Sequence, residues 1–163
     1  MIELKTGDLV FFRSKGVLPL LIRKFAKIQY NHVGVVVSNW EKLFLNEAVG
    51  RGIMAQPLSN RIDGREKDIL IRRPINPINE KEFAQKANSC LGKKYDFRGL
   101  IINQGLLQVF GKWNGGDAGK EEGRFYCYEY ASFCYQEHFD WWKINPKDLL
   151  NSNLFETVFE DEK

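Results

Sequence analysis

The stretch FYCYEYASFCY, residues 125–135, carries two of the chain's three cysteines, Cys127 and Cys134. If it is helical, seven residues turn it by ~700°, so both thiols lie on one face about 10 Å apart. They cannot both reach one reacting carbon. Cys127 falls in the first turn, after a Gly-rich stretch, where free N–H groups and the helix dipole favour a thiolate. Cys134 lies deeper and reads as a small apolar core residue. Cys90 belongs to another segment and reads as structural. For Cys127 two readings stand: a nucleophile, or a core residue that carries sulfur.

A nucleophilic thiol needs a base, and imidazole is the usual one. The chain has two histidines. His138 lies ~16 Å along the same helix from Cys127, too far to serve. His32 opens the strand-like run HVGVVVS, 32–38. Alternation puts His32, Gly34 and Val36 on one face and Val33, Val35 and Val37 on the other. Gly34 leaves room beside His32 for close packing, such as the start of a helix. A catalytic imidazole also has a partner that orients it. The next run, KLFLNEAV, 42–49, offers Glu47 or Asn46. They point to opposite faces, so only one can serve. Without Cys127, His32 reads as a strand-end histidine and Glu47 as a solvent-facing residue.

The elements that must position these groups follow from pattern. Strands are expected over 7–14, 32–38, 42–49 and 67–74, with a last one over 154–159. GRGI, 50–53, reads as a turn. Helices are expected over 17–29, 79–92, 97–111 and 126–138. Asn79 is a cap-like residue, and a helix near 144–152 has Asn145 as cap and Pro146 at its first position. KWNGGDAGKEEG, 112–123, reads as a loop. Early strands and late helices give an α+β class with an antiparallel sheet.

Composition narrows the function. The chain has 163 residues, 44% hydrophobic and 13% aromatic, enough for one domain, 1–163, with a packed core. Its 24 basic and 21 acidic residues are too evenly balanced for a nucleic-acid binder. Three cysteines do not build a disulfide framework, and no CxxC or HExxH suggests a metal. No signal peptide and no transmembrane run are visible, so the chain reads as cytoplasmic. A chain trimmed of its leader would look the same.

GDLVFF, HVGVVV and NEAVGRGI together resemble the His-bearing sheet of the NlpC/P60 cysteine peptidases. ANSCLGKKYDFRG followed by FYCYEYASFCY resembles the other half of that family, where the nucleophile opens a helix. Here the halves come in reverse order. That is similar to the circularly permuted, YiiX-like or YaeF-like group, and INPKDLLNSNLFETVF is similar to its tail. The resemblance covers the chain from Asp8 to about Phe159 and implies a permuted papain-like fold. It makes Cys127 the nucleophile, His32 the base and Glu47 the orienting residue. It gives Tyr95 a supporting or substrate-facing role, and Tyr30 and Tyr128 are taken with it. The family often has Ser after the nucleophile. Tyr128 stands there instead, and a bulky side chain at that position would narrow the cleft or alter the oxyanion region.

The resemblance implies a cysteine hydrolase acting on an amide or acyl bond, cell-wall peptides included, without metal or organic cofactor. The expected partner is a peptide or an acyl-bearing small substrate. Two other readings stay open. One is a lipid-directed acyltransferase or thioesterase, with VLPLLIRKF, 17–25, as an interfacial segment. The other is a silent ligand-binding domain of the same fold.

Overall fold

A computed structural model describes residues 3–15, 23, 27–39, 42–62, 68–100 and 123–161. Its centre is a six-stranded antiparallel sheet. The strands are β1 (Leu9–Phe12), β2 (His32–Asn39), β3 (Lys42–Val49), β4 (Gly52–Pro57), β5 (Ile69–Pro74) and β6 (Phe155–Glu160). Their spatial order is β4-β3-β2-β1-β5-β6, so the short, wholly buried β1 lies inside the sheet. The helices are α1 (Leu58–Ile62), α2 (Glu80–Asn88), α3 (Cys127–Cys134) and α4 (Pro146–Leu150), with a 3-10 turn over Trp141–Lys143. The architecture is α+β, as expected, with helices packed on an antiparallel sheet.

Alternation sorts the strands onto two faces. Leu9, Phe11, Val33, Val35, Val37 and Leu70 join the core made with α2, α3 and α4. Val10, Phe12, Val36, Leu45, Ile69 and Ile71 form a smaller cluster, against which Leu58 and Ile62 of α1 pack. Apolar residues on both faces explain why β1 and β2 read as continuous apolar runs. Helix α3 is buried almost all round, Phe133 excepted. A helix apolar on every side is a core helix.

Two caps behave as their residue types require. The Asn79 side chain accepts from the Glu82 N–H at 3.3 Å, and Asn145 from the Lys147 N–H at 3.0 Å. Pro146 sits in the first turn of α4, where it gives up no helical hydrogen bond.

The sheet has one strand more than the pattern suggested. The turn expected over 50–53 is only Gly50–Arg51, and the chain returns at once as β4, with Val49 paired to Gly52. Gly52 has φ 121°, and a Cβ there would lie 2.6 Å from the Lys93 carbonyl oxygen. Only glycine fits that approach. Helix α1 follows β4 directly and was not expected. Helix α3 is shorter than 126–138, since residues 135–138 are turns. Of the helix expected over 97–111, residues 97–100 are helical and the rest lies outside the described residues. Most of the 17–29 segment and of the 112–123 loop also lies outside them. Among the described residues no helix is long and apolar enough to cross a membrane.

Candidate active site

Cys127 is the first residue of α3. Tyr126 before it is extended, and its N–H donates to the Glu129 carboxyl at 3.2 Å. The first helical bond runs from the Tyr130 N–H to the Tyr126 carbonyl at 3.0 Å. The N–H groups of the first turn have no acceptor within the helix, as at any helix start. A short parallel bridge, Tyr95 with Phe125, ties this point to the segment after α2. Asp96 N–H donates to the Phe125 carbonyl at 3.1 Å, and Phe125 N–H to the Lys94 carbonyl at 3.2 Å. That bridge brings Tyr95 to the same cavity as Cys127.

His32 opens β2, and Glu47 lies on β3 opposite Gly34. The His32 Nε2 and Glu47 Oε2 atoms are 2.6 Å apart. The imidazole and Cys127 line one cavity, and the thiol is close enough to act on the imidazole's charge. Glu47 occupies Nε2. Glu47 is fully buried, yet both its oxygens are satisfied. Arg61 of α1 donates from Nε to Oε1 at 2.7 Å and from Nη2 to Oε2 at 3.0 Å. Gln56 adds a bond to Oε1 at 3.2 Å. Phe12 backs the group: its ring centroid lies 5.9 Å from that of His32 and 4.7 Å from the Arg61 guanidinium carbon.

The electrostatics follow from these contacts. Burial disfavours charge on His32, but the hydrogen bonds to Cys127 and Glu47 outweigh it and raise its pKa from 6.5 to about 9. Burial likewise opposes charge on Glu47, and His32 and Arg61 overcome it, lowering its pKa from 4.5 to about 2. Glu129 goes the other way. Burial, with a smaller push from the neighbouring Asp96 and Cys127, raises it from 4.5 to about 9, against the Tyr126 N–H. Burial, then the nearby Cys127, Glu129 and Asp96, push the Tyr95 hydroxyl up, so it stays a phenol.

A cavity of about 260 Å³ opens onto Cys127, His32, Tyr95 and Arg61, with Asn31 and Leu100 among its other walls. Four residues singled out from the sequence thus come together: Cys127, His32, Glu47 and Tyr95. Asn46 does not join them. It faces α2, where its side-chain amide donates to Asn88 at 2.8 Å. Two residues need correction. Tyr128 points into the core, near Phe11, and donates to the Tyr30 carbonyl at 2.7 Å. It does not narrow the cleft, because on α3 it projects toward the sheet. Tyr30 turns its hydroxyl to Glu160, 3.1 Å away, and lines a different hollow, with Arg72 and Lys147. The space beside Gly34 is filled by Leu45, which a Cβ would meet at 2.8 Å, and not by a helix. Arg61 was missed. No spacing rule ties it to Glu47, since the two meet only because β3 and β4 fold back and α1 follows.

No family model matches the chain. Two proteins of Escherichia coli K12 are similar to it. One is "Probable lipoprotein peptidase YaeF", 28% identical over 100 residues, 61% of this chain and 35% of that protein. The other is "Uncharacterized protein YiiX", 32% identical over 97 residues, 57% of this chain and 48% of that protein. The aligned stretches span about a third to a half of those relatives' lengths. The crystal structure of "metalloprotein yiiX" from Escherichia coli O157:H7 superposes with a TM-score of 0.59 at 20% identity, over 96% of this chain and 97% of that one. Its fold is consistent with a papain-like class. In sequence the chain is YiiX/YaeF-like, and in fold it matches YiiX along nearly its whole length.

That neighbour is described as a metalloprotein, so the fit of a metal to these residues matters. Among the described residues no group of three or more His, Cys, Asp and Glu could hold an ion. Glu47 already has Arg61, Gln56 and His32 on its oxygens. A cation there would face the Arg61 guanidinium. These side chains do not fit a metal.

Proposed function

We propose that this chain is a cysteine hydrolase of the permuted NlpC/P60 type, using Cys127, His32 and Glu47 on an amide or acyl bond. The observation that carries the reading is the grouping of Cys127, His32 and Glu47: a thiol at a helix start, an imidazole on the same cavity, and a buried carboxylate 2.6 Å behind the imidazole. The order of the halves, His32 and Glu47 before Cys127, supports the permuted form. The similarity to a protein named as a probable lipoprotein peptidase supports hydrolysis.

The chemistry runs as acyl transfer. His32 takes the Cys127 proton, and the anionic Glu47 stabilises the imidazolium. The Cys127 sulfur attacks the carbonyl carbon, and the C=O electron pair moves to oxygen. We assign the Cys127 backbone N–H and the Tyr95 hydroxyl as the donors to that oxyanion. The intermediate collapses, the scissile bond breaks, and the imidazolium gives its proton to the leaving group. Water then attacks the thioester, His32 accepts its proton, and the thiolate departs. A His32 pKa of about 9 sets the alkaline limit: activity falls as pH rises through it, because the proton for the leaving group is lost.

A p-nitrophenyl ester tests this without knowledge of the natural substrate. The expected result is nitrophenol release with an acyl adduct at Cys127, located by peptide mass mapping, and neither in a folded Cys127→Ala protein. Acylation elsewhere, or release unchanged in Cys127→Ala, contradicts the reading.

A further inference from the structure

We infer that Arg61 is a positioning residue for this site, holding Glu47 ionised and aimed so that His32 can carry the Cys127 proton. The inference rests on the cysteine–histidine reading above and adds a fourth member to it.

The geometry is specific. The Glu47 carboxyl is wholly buried, while Arg61 keeps 18% of its side-chain surface exposed at the cavity wall. A carboxylate in that position needs compensation to stay charged. His32 cannot supply it alone, because its own charge changes during the reaction. Arg61 is charged throughout and meets both oxygens in a fork. The Phe12 ring fixes the guanidinium on one face and the imidazole as well. Phe12 and His32 are direct neighbours across β1 and β2, so backbone pairing sets this arrangement.

Among the described residues, the groups facing Glu47 are His32 from β2, Arg61 from α1 and neutral Gln56 from β4. Cys127 from α3 and Tyr95 share the cavity with His32, and Glu129 and Asp96 are the carboxyls on that side. Arg61 is therefore the one permanent cation on the carboxylate. Without it, protonation of Glu47 becomes easier, the imidazolium loses its anion at low pH, and the thiol keeps its proton to higher pH. A lysine keeps the charge and loses the fork, so it retains part of the effect.

The test is the pH dependence of Cys127 alkylation by iodoacetamide, read by peptide mass mapping, in the parent, Arg61→Gln and Arg61→Lys. The expected result is that the acid limb in Arg61→Gln moves to higher pH by about one unit or more. Arg61→Lys should fall between Arg61→Gln and the parent. A merely structural residue would lower the melting temperature and leave the limb in place. An unmoved limb, or one moved to lower pH, in folded Arg61→Gln overturns the inference. So does failure of both variants to fold, which would make Arg61 a residue of the fold. The parent curve separates this from the reading beneath it. If parent Cys127 reacts as an ordinary thiol, the cysteine–histidine pair itself fails; if only the Arg61 shift is missing, the pair stands and Arg61 drops out.

Discussion

The two ends of α3 carry the same side chain on the same face and put it to different uses. At its end Cys134 is fully buried, and burial together with the nearby Cys90 pushes its thiol up. At its start Cys127 borders a cavity that His32 and Tyr95 also line. One helix thus packs one sulfur wholly into the core and sets the other at the wall of a cavity. The difference lies in what the sheet and the segment after α2 bring to each end.

Substitutions test that contrast, and the largest effect belongs to the nucleophile. Cys127→Ala should lower ester turnover by at least about 10⁴-fold and leave the far-ultraviolet circular dichroism unchanged. A folded variant with near-parental turnover would erase the distinction between the two ends. Next comes Glu47→Gln, which should lower turnover by about 10²–10⁴-fold. It should also destabilise the fold by roughly 3–5 kcal/mol, because Arg61 loses a buried partner. Denaturant titration alongside kinetics separates the two losses.

A third substitution addresses the buried acid behind the nucleophile. The folded Glu129 pKa is raised from 4.5 to about 9, so the unfolded chain gives up this proton first as pH rises. Its contribution therefore erodes stability from about pH 4.5 up to about 9. Glu129→Gln removes that loss, and its side-chain oxygen can still accept from the Tyr126 N–H. Stability at pH 8 should rise by about 1–3 kcal/mol, with little gain at pH 4. A gain independent of pH would mean that ionisation is not the cause. The smallest effect belongs to Cys134→Ala. It should cost about 1 kcal/mol from the small cavity it leaves and spare turnover.

The paired ions place the site's own pH window. Glu47 is depressed from 4.5 to about 2, so its pairing stabilises the fold above 4.5 and is lost as pH falls through about 2. His32 is raised from 6.5 to about 9, so its contribution is full below 6.5 and gone above about 9.

Much of this was legible in the sequence, for local reasons. β2 and β3 announce themselves through β-branched and apolar runs, and α2 and α4 through Asn caps. Cys127 stood out by its place at a helix start, and His32 because His138 is too far along. β4 was hidden by Gly50 and Gly52, which look like loop and are a two-residue turn and a close approach to Lys93. The choice between Asn46 and Glu47 needed the sheet's faces, which alternation alone does not assign to inside or outside. Tyr128 was misjudged because on α3 its neighbour position reads as cleft, while helical rotation sends it into the core. Arg61 lay beyond reach, since the Glu47–Arg61 pair exists only once β3, β4 and α1 have folded.

The central claim is that Cys127 and His32 act as one unit, and the rate of iodoacetamide alkylation against pH tests it most directly. Peptide mapping would follow Cys127 and Cys134 separately in the parent and in His32→Ala. The account predicts that Cys127 reacts well below pH 8, loses that reactivity without His32, and that Cys134 stays unlabelled in both. A Cys127 that titrates near ~8.5 in both proteins, as a free thiol does, would contradict it and leave α3 a core helix with sulfur at each end.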